Sequence, residues 1–196
     1  MSTFDPETGR HLLAPEDAEL PRRQQRLAEL GLGDGVPIAE FDAFAAELAE
    51  KAAELTGSSS TPYAMVNLIT DHQYFAGLHV PQPASPGADA AQPEVGRVMD
   101  RQHGYCPHVL DRRKALVLDD VCAYPRFASN EVVDLIGIRT YLGAPLIDEE
   151  TGTTLGTICI VDTEPRPWGR EGLEFIRDYR DRLMDEIRKR QAPQQP

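Results

Sequence analysis

Residues that can bind a metal or act as nucleophiles lie close together near the middle of the chain. His103, Cys106 and His108 fall within the segment His-Gly-Tyr-Cys-Pro-His. Thiolate and imidazole are usual ligands of zinc, but a structural zinc site needs four ligands, and this spacing is not that of a zinc finger. The spacing therefore favours a small buried thiol on a pocket wall, with contact to a bound ligand as the alternative. The candidates for ligand contact in this segment are His103, Tyr105, Cys106 and His108.

Two acidic residues and one arginine form a second set of polar candidates. Asp119 and Asp120 follow the apolar run Ala-Leu-Val-Leu, and paired carboxylates can transfer protons or bind a cation. Acidic residues at the end of a strand more often cap the following turn, which is the interpretation we favour. Arg126 lies in a predicted turn and can reach an anionic ligand, although a surface ion pair is the simpler role. Asp120 and Arg126 are kept as candidate pocket residues.

Aromatic side chains with polar tips are typical of small-molecule sites. Tyr74 and Phe75 follow Gln73 in a predicted strand, and neighbouring strand residues point to opposite faces of a sheet. Tyr74 should therefore face away from Gln73 and Phe75, and one of these two sets is expected to line a pocket. Tyr141, near the start of another predicted strand, is a further candidate. Packing into the core is the alternative for each aromatic residue.

Composition argues against several classes of function. The chain has 196 residues, enough for one domain, with 20 basic and 32 acidic residues and a net charge of −12. Such an acidic surface repels nucleic acid and anionic lipid. No apolar stretch approaches the roughly 18 residues of a membrane span, and the N-terminus does not read as a secretory signal. Three cysteines in this context predict reduced thiols and a cytoplasmic protein.

The order of the predicted helices and strands indicates how these residues are positioned. Apolar residues at three- and four-residue steps predict helices, and short apolar runs between turns predict strands. The expected helices cover 21–32, 37–56 and 169–190, with shorter helical segments at 104–112 and 132–137. The expected strands cover 63–70, 73–78, 115–118, 140–147 and 154–162. The remaining segments are expected to be tails at 1–20 and 191–196 and a long loop at 80–96.

The order and spacing of these segments resemble those of a GAF domain, the ligand-binding relative of the PAS fold. The matching segments are RRQQRLAELGL, FDAFAAELAEKAAELTG, YAMVNLIT–DHQYFAGL, GYCPHVL, LVLDDVCAYPRFASNEVV, IRTYLGAPL and LGTICIVDTEPRPW. They assign residues 21–190 to one GAF-like domain. Tyr105-Cys106-Pro107-His108 is similar to the Phe/Tyr-Cys-x-His segment of bacterial sensor GAF domains.

The resemblance implies an α+β, GAF/PAS-like fold around a central antiparallel sheet of about six strands. The terminal helices would pack on one face, and loops and short helices would cover a ligand pocket on the other. The implied function is non-enzymatic: binding of an unidentified small molecule and signalling through a homodimer or a signalling protein in trans. Nucleic-acid and membrane partners are not expected, and the sequence indicates no particular cofactor.

Other functions of GAF-like proteins remain alternatives. Free methionine-(R)-sulfoxide reductases share the fold and use a nucleophilic cysteine together with a second cysteine in a Gly-x-Cys segment. This chain keeps Cys106 in the Gly-x-Cys position, but residues 125–130, where the nucleophile is expected, contain no cysteine, and Cys122 lies earlier. Bilin attachment is disfavoured because Pro107 separates the cysteine from the histidine, and the Asn-Lys-Phe-Asp-Glu set of cyclic-nucleotide GAF domains is not found. A haem or metal sensor could use any one of His72, His79, His103 and His108.

Overall fold

The computed structural model describes residues 17–82 and 95–191, together with the backbone of residues 4–5 and 10–11. Most of the predicted tail 1–20, residues 83–94 of the predicted loop and residues 192–196 of the second tail lie outside the described residues. The two backbone pieces near the N-terminus, Phe4–Asp5 (β1) and Arg10–His11 (β2), pair with each other as an antiparallel ladder.

A six-stranded antiparallel sheet forms the centre of the molecule. Its strands are Tyr63–Ile69 (β3), His72–His79 (β4), Val98–Asp100 (β5), Leu116–Leu118 (β6), Thr140–Ile147 (β7) and Thr154–Asp162 (β8). They are arranged in the order β5-β4-β3-β8-β7-β6. The predicted α+β fold with about six strands is confirmed. Sequence patterns missed β5 because it is only three residues long and its residues are not continuously apolar.

The described residues form six α-helices. They are Leu20–Glu29 (α1), Ala39–Thr56 (α2), Cys106–Arg112 (α3), Pro125–Ala128 (α4), Glu131–Ile136 (α5) and Gly169–Gln191 (α6), with a 3₁₀ turn at Val121–Ala123. The long helices α2 and α6 lie close to the predicted segments 37–56 and 169–190. None of the described helices combines the length and the apolar character that a bilayer crossing requires.

The helices α1, α2 and α6 pack on one face of the sheet. The face is apolar because alternate residues of the central strands point to it, including Ala64, Val66 and Leu68 of β3 and Leu142, Ala144 and Leu146 of β7. The apolar stripe of α6, at Ile176, Leu183 and Ile187, is buried in this same core. That stripe is therefore occupied by the chain's own sheet and does not offer a surface for pairing two copies.

Two buried arginines tie α1 to the end of the sheet. Arg23 forms an ion pair with Asp17, and Arg26 hydrogen-bonds Asp148 at 2.8 Å at the start of the β7–β8 turn. Burial by itself raises the pKa of each carboxyl group, but the hydrogen bonds and charges of the arginines outweigh it. The pKa values of Asp17 and Asp148 consequently lie below their ordinary value of 3.8.

Acid is expected to destabilise the protein through these two carboxylates. A carboxyl group whose pKa is lowered by folding contributes stability that is present above its unfolded pKa, about 4, and is lost as the pH falls through the folded value. Urea unfolding at pH 7 and at pH 3 measures the difference. An Arg26→Met variant should lose less of its remaining stability between these pH values than the wild type does. An equal acid loss in the two proteins would contradict the assignment to Asp148.

Candidate functional site

A cavity of about 120 Å³ lies on the sheet face opposite the long helices. It lies between β3, β4, β7 and β8 on one side and residues 95–138 on the other, and it is partly open. Its described lining residues are Tyr63, Met65, Gln73, Phe75, Val95, Met99, Gly104, Tyr105, Cys106, Val132, Ile136, Ile138, Tyr141, Cys159, Val161 and Thr163. These described lining residues include no aspartate, glutamate, lysine, arginine or histidine. The chemistry of the cavity is therefore apolar and aromatic.

The period of two along each strand selects the residues that face the cavity. In β3, Met65 and Ile69 belong to the apolar cluster on this face, while their neighbours point to the helices. In β8, Cys159 and Val161 line the cavity, and Ile158 and Ile160 lie in the helical core. A β-bulge between Val66 and Asn67 interrupts the pairing of β3 with β4.

The short helix α3 covers the cavity. Tyr105, the residue before α3, anchors this helix. The Tyr105 hydroxyl donates to the backbone carbonyl of Phe127 at 3.0 Å, and its ring meets the ring of Tyr141 edge-on, with centroids 5.3 Å apart. Burial raises the pKa of both tyrosines, so they remain neutral donors. Two aromatic rings therefore hold the start of α3 against β7.

Two thiols meet at the wall of the cavity. Cys106 begins α3 and Cys159 lies in the middle of β8, and their Sγ atoms are 3.5 Å apart. The Tyr141 hydroxyl donates to the Cys106 Sγ at 3.4 Å. Both cysteines are free and buried, whereas the third cysteine, Cys122, is exposed. Sequence reasoning kept Cys106 as a candidate and missed Cys159, because no local signal links residues on a short helix and a distant strand.

The surroundings of the two thiols separate their acidities. The hydrogen bond with Cys159 and the one that the Tyr141 hydroxyl donates lower the pKa of Cys106 below its ordinary value, against the opposing effect of burial. The hydrogen bond with Cys106, burial and the charge that Cys106 would carry raise the pKa of Cys159. Cys106 is therefore the thiol of the pair that ionises first.

A buried amide pair joins Gln73, in the cavity wall, to Asn67 behind it. The Asn67 Nδ2 donates to the Gln73 Oε1 at 2.8 Å, and the Gln73 Nε2 donates to the backbone carbonyls of Asp100 at 2.9 Å and His103 at 2.6 Å. The Asn67 Oδ1 and the Thr157 Oγ1 are buried and have no hydrogen-bond partner among the described residues. Gln73 thus connects β4 to the segment that covers the cavity.

Four of the candidates predicted from the sequence line the cavity: Phe75, Tyr105, Cys106 and Tyr141. Tyr74 does not, because it points to the opposite face of β4 and packs against the helical core. This outcome agrees with the predicted alternation and selects Gln73 and Phe75 as the set on the cavity side. The same alternation identifies Gln73 as a cavity residue, although it was not kept among the candidate ligand contacts.

The other candidates lie around the cavity rather than in its described wall. His103 approaches Glu131, with Nε2 and Oε2 2.9 Å apart, and His108 meets the ring of Phe127 edge-on at 5.4 Å. Arg126 is exposed. Ligand binding by these side chains stays a prediction.

Asp120 caps the turn that follows it, as the sequence interpretation favoured, whereas Asp119 accepts from backbone amides 49 and 50 positions further along the chain. Asp120 accepts a hydrogen bond from the Cys122 amide at 3.0 Å and pairs with Arg139 at 2.7 Å, and the hydrogen bond from Arg139 lowers the pKa of Asp120. Asp119 accepts from the backbone amides of Trp168 at 3.0 Å and Gly169 at 3.3 Å, at the start of α6. Both carboxylates therefore organise backbone turns.

Metal-binding residues do not converge in the part of the chain that the structure describes. No group of three or more histidine, cysteine, aspartate and glutamate side chains is placed there so that it could hold a metal ion.

Comparison with known proteins identifies relatives of the sequence and of the fold. The model of the GAF domain family matches residues 40–187. A cyclic di-GMP phosphodiesterase of Pseudomonas aeruginosa is 31% identical over 177 residues, which cover 88% of this chain and 26% of the relative. The chain thus spans about a quarter of the length of that relative.

Two solved structures share the fold at low sequence identity. The GAF domain of an Acinetobacter phosphoenolpyruvate-protein phosphotransferase has a TM-score of 0.52 and 14% identity, with 90% of this chain and 98% of that chain covered. A free methionine-R-sulfoxide reductase of Neisseria meningitidis, in complex with its substrate, has a TM-score of 0.51 and 15% identity, with 96% and 94% covered.

Proposed function

Because the chain belongs to the GAF domain family, we propose that it is a sensory signalling module that binds a small uncharged molecule in the cavity under α3. The observation that carries this proposal is the cavity itself, about 120 Å³ in volume and lined by aromatic and aliphatic side chains. A cavity of this volume suits a molecule of about the size of benzene or indole. Apolar walls with few polar groups are typical of small-molecule sites.

The chemistry of the wall argues for a neutral ligand. No arginine, lysine or histidine is among the described lining residues, so a phosphate would lose its hydration without gaining a cationic partner. The tyrosine hydroxyls and the thiols supply hydrogen-bond partners for one or two polar atoms of the ligand. The ligand class is therefore a small aromatic or aliphatic molecule with at most one or two neutral polar groups.

Signalling would follow from movement of the segment that covers the cavity. Gln73 hydrogen-bonds the carbonyls of Asp100 and His103, so an occupant that displaces this side chain also displaces the residues before α3. The output would be read by a second copy of the chain or by a signalling protein in trans, in the cytoplasm. Because the α6 stripe is buried in its own core, a homodimer would have to use other surfaces.

The phosphodiesterase activity in the name of the Pseudomonas relative is not part of this proposal. The match covers only 26% of that relative. The cavity also offers no described cationic side chain for a dinucleotide phosphate. Cyclic di-GMP is therefore expected to act as a negative control in binding measurements.

A thermal-shift screen tests the proposal. The panel contains small neutral aromatic and aliphatic molecules, with cyclic AMP and cyclic di-GMP as anionic members. A ligand at about 100 times its dissociation constant adds about 2.7 kcal/mol, which raises the Tm of a domain of this size by about 5–10 °C. We expect such a shift from a neutral member and none from the nucleotides.

A cavity-filling variant localises the binding. Val161→Phe places a larger side chain in the cavity and should abolish the shift, whereas Val36→Phe, at an exposed residue away from the cavity, should retain it. The proposal fails if no neutral member stabilises the wild type, or if Val161→Phe keeps the full shift while remaining folded.

A thiol-dependent reductase is the second candidate function, and the adjacent thiols of Cys106 and Cys159 are the observation that favours it. Residues 125–130 contain no cysteine, so this activity would need Cys106 as its nucleophile. Turnover of free methionine-(R)-sulfoxide with a dithiol, lost in Cys106→Ser, would support it. No turnover in the wild type would exclude it.

Haem or metal sensing is the remaining alternative. It would need a ligand such as histidine at the site, and no histidine is among the described lining residues of the cavity. An absorption spectrum and metal analysis of the freshly purified protein test this alternative.

A further inference from the structure

The contact between Cys106 and Cys159 is the feature that the ligand-binding proposal leaves unexplained. The two residues are separated by 53 positions in the sequence, yet their Sγ atoms lie 3.5 Å apart. Both residues line the same cavity. Simple core packing would place any two apolar side chains here, and it does not require two thiols with a tyrosine hydroxyl aimed at one of them.

We propose that Cys106 and Cys159 are a redox-active pair that a small hydroperoxide, such as hydrogen peroxide, converts to an intramolecular disulfide. The proposal does not rest on the identity or the existence of the cavity ligand. It assigns a modification site to the wall of the cavity, between α3 and β8, and names the chemical class of the oxidant.

The position of Tyr141 identifies the thiol that reacts first. Its hydroxyl donates to the Cys106 Sγ at 3.4 Å, and a hydrogen bond to sulfur stabilises the thiolate, which is the nucleophile. Cys159 is 1% exposed and lies against Cys106, in the position of a resolving thiol. Buried thiols in purely apolar surroundings are inert, so this donor is what distinguishes the pair.

The reaction balances with one equivalent of peroxide. The Cys106 thiolate attacks one peroxide oxygen, the O–O bond breaks, and the departing hydroxide takes up the thiol proton to leave as water, giving a sulfenic acid. The Cys159 sulfur then attacks the Cys106 sulfur, the S–OH bond breaks, and the hydroxide leaves with the Cys159 proton as a second water. The two thiols lose two electrons, and the peroxide gains them.

The cavity determines which oxidants reach the pair. A cavity of about 120 Å³ with apolar walls admits hydrogen peroxide, which is neutral and only slightly larger than water. Large or strongly anionic oxidants are disfavoured because the described wall offers no cationic partner.

Disulfide formation would change the shape of the cavity. The Sγ atoms must approach from 3.5 Å to about 2.05 Å, so α3 and β8 must move together or rotate their side chains. Tyr105 adjoins Cys106 and anchors the cover through the Phe127 carbonyl. Oxidation that moves α3 would therefore displace the residues that cover the cavity, whereas side-chain rotation alone would change only its wall.

The test uses the full chain with the exposed thiol removed. Cys122→Ser leaves two cysteines, Cys106 and Cys159. The protein is treated with hydrogen peroxide, quenched, and alkylated under denaturing conditions before intact-mass and peptide analysis. We expect the alkylatable thiols to fall from two to none in a monomeric species, a peptide that links Cys106 to Cys159, and full recovery with a dithiol.

Two further variants test the separate roles of Cys106 and Tyr141. In Cys122→Ser with Cys106→Ser, Cys159 should stay alkylatable. In Cys122→Ser with Tyr141→Phe, loss of the donor should slow oxidation about tenfold. The proposal is overturned if folded Cys122→Ser keeps both thiols after peroxide, if only Met65 or Met99 is oxidised, or if the disulfide joins two chains. An unchanged rate with Tyr141→Phe would overturn the assignment of Cys106 as the attacking thiol.

Discussion

Replacing Arg23 by alanine is expected to lower the free energy of unfolding by about 3–5 kcal/mol. The Arg23 side chain is 1% exposed, and it donates to the backbone carbonyls of Thr154 and Ile69 and to the carboxylate of Asp17. Removal leaves two buried strand carbonyls without this donor. Asp17 keeps Arg101, 2.8 Å away, and the Glu19 amide as partners. Unpaired buried polar groups carry the full desolvation penalty. Since domains are commonly stable by about 5–15 kcal/mol, the loss would be a large share of the total.

Urea unfolding of the purified variants measures this loss. Arg170→Ala is the matched control, because Arg170 is 89% exposed and pairs only with Glu174 one helical turn away. Exposed pairs contribute about 0–1 kcal/mol, so the control should change little. Similar losses in the two variants would show that Arg23 does not stabilise the end of the sheet in the way that its contacts indicate.

Gly156→Ala is expected to cost about 3 kcal/mol, at the upper end of the range for overpacking. Gly156 lies in β8, opposite Leu68 of β3 and Leu146 of β7. An added Cβ would come within 2.0 Å of the Asn67 carbonyl oxygen and 2.9 Å of the Leu68 Cα. These are backbone atoms, so relief requires β3 and β8 to separate. The bulged region at Asn67 would move with them, and the Asn67–Gln73 hydrogen bond behind the cavity would be disturbed.

The Gly156 prediction is checked by urea unfolding together with the ligand-induced thermal shift. Gly96→Ala is the control, because its added Cβ would find the nearest atom, the Val98 carbonyl oxygen, at 3.9 Å. A change within about 1 kcal/mol is expected there, including a small gain from a less flexible unfolded chain. If Gly156→Ala unfolds like Gly96→Ala, then β8 can accommodate a side chain at this position and the close approach is not essential.

Both predictions concern the central strands that carry the cavity floor. Arg23 fixes the ends of β3 and β8 through the Ile69 and Thr154 carbonyls, and Gly156 allows the same two strands to approach at the last paired position before that end. Cys159 lies three residues beyond Gly156 in β8. The geometry of the thiol pair therefore depends on residues that face away from the cavity or lie outside it.

Much of the fold could be predicted from the sequence. The three- and four-residue period of 37–56 and 169–190 predicts two long amphipathic helices, and α2 and α6 occupy these segments. The apolar runs at 63–70, 140–147 and 154–162 predict the central strands. These signals are local, since they follow from the geometry of a single helix or strand. Alternation also predicted that Tyr74 and Phe75 point to opposite faces.

The sequence by itself determined the long helices and five of the six strands of the central sheet, their order, and which residues share a face of each of these strands. Only the tertiary structure decided which face meets the long helices and which meets the cavity, and hence that Phe75 lines the cavity and Tyr74 does not. It also decided that Arg23 is buried and that Cys106 meets Cys159. The physical reason is that periodicity is a property of one segment, whereas these contacts arise from packing between segments far apart in the chain.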